Sequence, residues 1–128
     1  MNEYSTFENI DENMIDIILL KIFKQKFIYL YAMTKFKLGS EINSGHSNTQ
    51  NIANKNKTKK NKEKMNNYFK EAIKYFHECK NINSLLGINQ IKIIYSLIMI
   101  SKCYLHLKDY KNSIININES LNLYLVIA

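Results

Sequence analysis

Proline, arginine and tryptophan are absent from these 128 residues, and glycine occurs only three times. Proline and glycine are the residues that most often interrupt helices, so their scarcity argues for long helices joined by few tight turns. The polar–apolar alternation of a half-buried strand is missing as well, and the chain is expected to be all-α. Long apolar runs are also lacking. The most apolar stretches, 17–20 and 93–100, fall far short of the roughly 20 residues a membrane span needs. Glu3, Glu8, Asp11 and Glu12 precede the first lysine, the wrong charge for a secretory or transit signal. Cysteine is sparse. Cys79 and Cys103 fall on expected helices and read as reduced, buried thiols of a cytoplasmic or nuclear protein rather than as a disulfide.

What the sequence does have is isoleucine, asparagine and lysine in abundance, the bias of A+T-rich coding. The net charge is +7 and is unevenly placed. Residues 51–64 hold six lysines and Glu63, which gives this stretch +5 and leaves the rest of the chain near neutrality. A basic surface over the whole fold is therefore not indicated.

The strongest local pattern lies between Ile93 and Leu125. Leu97, Ile100, Tyr104 and Leu107 recur at spacings of three and four and make one helical stripe. Tyr110, Ile114, Ile117, Leu121 and Tyr124 make a second. Between them, Lys108-Asp109 reads as a tight turn, with Asp109 as N-cap of the following helix. Ser101, Ser113 and Ser120 suit the points where two helix axes approach closely. Together these residues predict an antiparallel hairpin over 88–125.

The spacing of Leu97, Ile100-Ser101, Tyr104, the Lys108-Asp109 turn, Tyr110, Ser113, Ile117 and Ser120 resembles one tetratricopeptide repeat. It departs from that pattern in its serines, in Lys108 at a position where glycine is usual, and in the missing proline. A partial second copy lies upstream: Phe69, Ala72, Phe76 and Cys79 align with Tyr110, Ser113, Ile117 and Ser120 at an offset of 41 residues, against about 34 in the standard repeat. The resemblance implies stacked helical hairpins, about four helices in all, that bind a partner protein or peptide along a groove.

The remaining segments are placed around this region. A lead over 1–10 precedes a long helix over 11–38, in which Phe27, Leu30, Tyr31 and Ala32 could form the first helix of the upstream repeat. Met14, Ile15, Ile18, Leu19, Ile22, Phe23, Lys26, Phe27, Leu30, Tyr31 and Met33 or Thr34 give that helix a broad apolar face. The Lys/Asn-rich stretch 39–61 reads as a low-complexity, flexible insertion. The repeat region is then 62–128, with a second helix ending near Lys80, Ser84 in the next loop as a candidate N-cap, and a third helix beginning near Leu86. The final Leu-Tyr-Leu-Val-Ile-Ala is apolar where repeat arrays usually finish with a polar capping helix. It is expected to pack on the first helix, to meet a partner, or to be covered by further repeats.

Signals for chemistry are weak. His46, His77 and His106 are scattered, and neither CxxC nor HExxH spacing occurs, so no metal site is expected. There is no GxSxG elbow, no glycine-rich phosphate loop and no marked thiolate, so neither catalysis nor a cofactor is expected. The lysines at 55, 57, 59, 60, 62 and 64 could meet phosphate backbones. They lack arginine for base readout and interleaved aromatics for stacking, which disfavours nucleic acid. The leading reading is a non-catalytic interaction module or scaffold, or part of a larger complex. In a stack of such hairpins the first helix of each repeat lines the groove, which makes Tyr95, Ile98, Met99, Lys102, Leu105 and His106 the candidate partner-binding residues. Members of the family that grip a C-terminal carboxylate use lysine and asparagine on this face; Ile98 and Lys102 at the matching positions disfavour that mode. The alternative is a basic helical nucleic-acid-associated protein acting through 55–64.

Overall fold

The computed structural model describes residues 12–45, 55–87 and 90–127. They form four helices: α1 (Glu12–Gly45), α2 (Lys55–Leu86), α3 (Gln90–His106) and α4 (Tyr110–Ile127). No strand occurs among the described residues, and no helix there is long and apolar enough to cross a membrane. The helices pack in chain order as an antiparallel row, α1 on α2, α2 on α3 and α3 on α4.

The row is centred on α2, because α2 carries the best-formed apolar stripe. Phe69, Ala72, Phe76 and Cys79 are completely buried, as their helical spacing predicts. Phe69, Ala72 and Phe76 share one core cluster with Ala32 from α1 and Met99, Ile100 and Cys103 from α3. Tyr29 and Phe36 of α1 approach Phe76 and Phe69 edge-on, with ring centroids 5.6 and 5.7 Å apart. Lys35 Nζ reaches Glu71 Oε2 at 3.0 Å along the same seam.

The expected hairpin between α3 and α4 is present, and its turn is held locally. Lys108 adopts a positive φ of 61°. Its N–H bonds the Leu105 carbonyl at 3.0 Å, and the Asp109 N–H bonds the Tyr104 carbonyl at 2.9 Å. This paired arrangement satisfies the free carbonyls at the end of a helix. Asp109 Oδ1 then accepts from the Asn112 N–H at 3.3 Å and caps α4. At the end of α2, Gly87 takes the same left-handed role with φ 63°.

Several expectations need correction. The segment 39–61 is helical at both ends: α1 runs on to Gly45 and α2 starts at Lys55. Packing explains the longer α1, since Ile42 rests on the core and Asn43 Nδ2 donates to His106 Nδ1 at 3.2 Å. The middle of that segment, 46–54, lies outside the described residues, as do the lead 1–10 and His46. α2 continues past Lys80 to Leu86, so Ser84 lies inside the helix, where its Oγ donates to the Lys80 carbonyl at 2.9 Å instead of capping α3.

The two outer helices turn the other way from expectation. On α1, Met14, Ile15, Ile18, Leu19, Phe23, Phe27 and Leu30 are exposed. The buried line is Gln25, Ala32 and Gly39, seven residues apart, which brings small side chains against α2. Residues 13–21 are exposed throughout. On α4, the stripe Tyr110, Ile114, Ile117, Leu121 and Tyr124 faces outward, while Ser113, Asn116 and Ser120 are buried against the bundle. The terminal Tyr124, Leu125, Val126 and Ile127 are exposed too, so this last turn does not pack on α1.

Candidate functional site

The six residues expected to line one groove do not come together. Met99 is buried in the core among α2 side chains, because the α3 face that meets α2 includes it along with Ile100 and Cys103. His106 is half-buried, and its ring stacks on Phe69 at 4.5 Å and 7°. Ile98 sits in a shallow recess between α3 and α4 with Ile94, Ile117 and Leu121. Lys102 and Leu105 are exposed. Only Tyr95 lines the cleft between α1 and α3.

That cleft, of about 620 Å³, combines apolar walls with a cationic rim. Tyr29 and Leu30 of α1 and Ile91 and Tyr95 of α3 form the walls, with Lys26 and Lys92 at the rim and Gln25 at the base. Gln25 is buried, and each of its oxygens has a partner. Its side-chain Oε1 accepts from Lys92 Nζ at 3.2 Å, and its backbone carbonyl accepts from Cys79 Sγ at 3.5 Å. A buried amide held in this way fixes the spacing of α1 and α3. Burial, and after it the neighbouring Cys79 and Tyr95, push the Tyr29 phenol above its ordinary pKa, so it stays a neutral hydrogen-bonding group. Two cationic side chains and no acid among the lining residues favour a carboxylate-bearing ligand.

Sequence reasoning placed Lys26 and Leu30 on an apolar face of α1 and overlooked Gln25 and Tyr29 as groove residues. Gln25 carries a usable signal: a polar side chain seven residues before Ala32 and fourteen before Gly39, on the line that turns out to be buried.

A wider recess, about 710 Å³, lies at the opposite ends of the helices, beside Asn43, Met65, Leu105 and His106. Burial lowers the His106 pKa. The thiols offer no nucleophile: Cys79 and Cys103 are free and buried, and burial pushes each up to about 12. Among the described residues no group of three or more His, Cys, Asp or Glu could hold a metal ion. Lys59, Lys60, Lys62 and Lys64 are exposed on the first turns of α2, a helical face rather than a loop. No protein-family model, curated protein or solved structure matches this chain.

Proposed function

We propose that this chain is a non-catalytic helical-repeat interaction module of the tetratricopeptide kind, which binds a segment of another protein in the α1–α3 cleft. The observation that carries the reading is the cleft itself. α1 and α3 are the first helices of two successive hairpins, and their facing sides offer Tyr29, Leu30, Ile91 and Tyr95 between Lys26 and Lys92. Apolar walls lose unfavourable hydration when a segment covers them, and the lysines select segments with flanking carboxylates. The buried thiols suit a reducing compartment, cytoplasm or nucleus. The module acts as a scaffold or as part of a larger complex.

The test is capture from cell extract with the wild-type chain and with Leu30→Glu/Tyr95→Glu, both at exposed positions. The variant should keep its helical signal and melting temperature while retaining a given partner at least about tenfold less. Equal retention of every captured protein removes the cleft as the binding site.

A nucleic-acid reading rests on the exposed Lys59, Lys60, Lys62 and Lys64 on one helical end. It requires oligonucleotide binding that weakens steeply with salt and is lost when these four become glutamine. Cleft substitutions would leave such binding unchanged.

A further inference from the structure

α4 is an inverted amphipathic helix: the face it packs on α3 is polar, and the face it leaves uncovered is apolar. Ser113, Asn116 and Ser120 are buried, whereas Tyr110, Ile114, Ile117, Leu121 and Tyr124 are each between 41 and 58% exposed. The buried polar side is hydrogen-bonded to α3. Ser101 Oγ donates to the Ser113 carbonyl at 2.8 Å, and Ser113 Oγ donates to the Ser101 carbonyl at 2.9 Å. Turning the helix to bury its apolar stripe would break both bonds.

The exposed stripe has the spacing of a helix-pairing seam. Its residues follow one another at four, three, four and three, the heptad rhythm that keeps one line of a helix facing a neighbouring helix. With Leu125 they occupy a band of about 100° around the helix axis, and no charged residue falls within it. Ile94 and Ile98 of α3 extend the band sideways into the shallow recess beside Ile117 and Leu121.

We propose that this seam pairs with α4 of a second copy of the chain, antiparallel and about a two-fold axis near Ile117. Two observations select a second copy. First, the seam is self-complementary. Tyr110 and Tyr124 each stand seven residues from Ile117, so an antiparallel partner sets tyrosine against tyrosine and the aliphatic centre against itself, as an isologous interface requires. Second, the area is right. At about 200 Å² per whole side chain, the five seam residues expose about 500 Å², and Leu125, Ile94 and Ile98 bring the patch to about 700 Å². A standard interface takes about 800 Å² from each partner. The seam lies on α4, away from the α1–α3 cleft, so pairing there leaves the cleft open and does not depend on its proposed role.

Sedimentation equilibrium of the full chain should give a species of twice 15.1 kDa. Ile117→Glu should raise the dimer dissociation constant by at least about a hundredfold, because each copy would bury a carboxylate in the apolar seam. Its helical signal should not change, since Ile117 is already exposed in the single chain. Ile117→Cys treated with a short bis-maleimide should give a covalent dimer. The wild-type chain should not, because its own thiols, Cys79 and Cys103, are buried. A wild-type chain that stays monomeric up to about 100 µM overturns the proposal. So does dissociation by Phe23→Glu but not by Ile117→Glu, which would make exposed α1 of another copy the covering helix.

Discussion

Ser101 and Ser113 exchange hydrogen bonds across the α3–α4 hairpin, each hydroxyl donating to the other residue's carbonyl, with the two hydroxyls 2.9 Å apart. The close approach needs side chains this small. Ser101→Leu should overpack the crossing and lower stability by about 1–3 kcal/mol. Ser101→Ala removes a hydrogen bond without adding bulk and should cost only about 1 kcal/mol. Urea melts followed by circular dichroism compare the two. If Ser101→Leu melts with the wild type, the helices do not cross closely here.

Gly39 makes the corresponding contact between α1 and α2. A Cβ there would lie 2.9 Å from Phe69 Cζ. The Phe69 ring has little room to yield, since His106 stacks on one face and Phe36 abuts it edge-on. Replacing a mid-helix glycine by alanine normally gains up to about 1 kcal/mol. At this position the clash should outweigh that gain and give a net loss of about 1 kcal/mol. A Gly39→Ala chain that melts above the wild type would show that Phe69 moves aside freely.

What could be read in advance was what local chemistry decides. The turn at Lys108-Asp109, the cap at Asp109 and the small crossing residues Ser101 and Ser113 act over a few residues and leave a direct sequence signal. The α2 stripe was legible because Phe69, Ala72, Phe76 and Cys79 stand out from polar neighbours. The facing of α1 was not, because that helix is apolar nearly all round and periodicity cannot choose a side. Its side was chosen by Gln25, Ala32 and Gly39, whose smallness and hydrogen bonding matter only once α2 lies against them. On α4 the sequence offers an apolar side and a polar one, and the contact with α3 is made by the polar one, through the Ser101–Ser113 hydrogen bonds. The cleft joins Tyr29 to Tyr95 across 66 residues of sequence, a separation over which no local pattern operates. The ends of α1 and α2 were lost in a Lys/Asn composition that reads as loop, while Ile42 and Asn43 are ordered by tertiary contacts.

The thiols give a third prediction. Cys79 and Cys103 are completely buried, and burial pushes both pKa values up to about 12. Only the thiolate is nucleophilic. Iodoacetamide at neutral pH should therefore leave both unmodified in the folded chain and modify both after unfolding in urea, as read by intact mass. Rapid modification of either one under native conditions would mean that α2 and α3 open locally at that residue.

His106 gives the last prediction, a dependence of stability on pH. Its ring stacks on Phe69 and meets Phe36 edge-on, and Asn43 Nδ2 donates to Nδ1, an arrangement that needs the neutral imidazole. Burial lowers its pKa from the model-compound value of 6.5. A depressed pKa means that, just below pH 6.5, the unfolded chain binds a proton the folded chain still refuses. Stability linked to His106 is therefore fully present above that value and falls as the pH drops through the folded pKa. His77, which burial lowers in the same direction, adds to the fall. His106→Phe keeps an aromatic ring on Phe69 but cannot titrate, so it isolates the His106 share and leaves that of His77 in place. Between about pH 7.5 and pH 5 the wild-type chain should lose more melting temperature than His106→Phe does. Equal losses would show that His106 takes up its proton as readily in the folded chain as in the unfolded one.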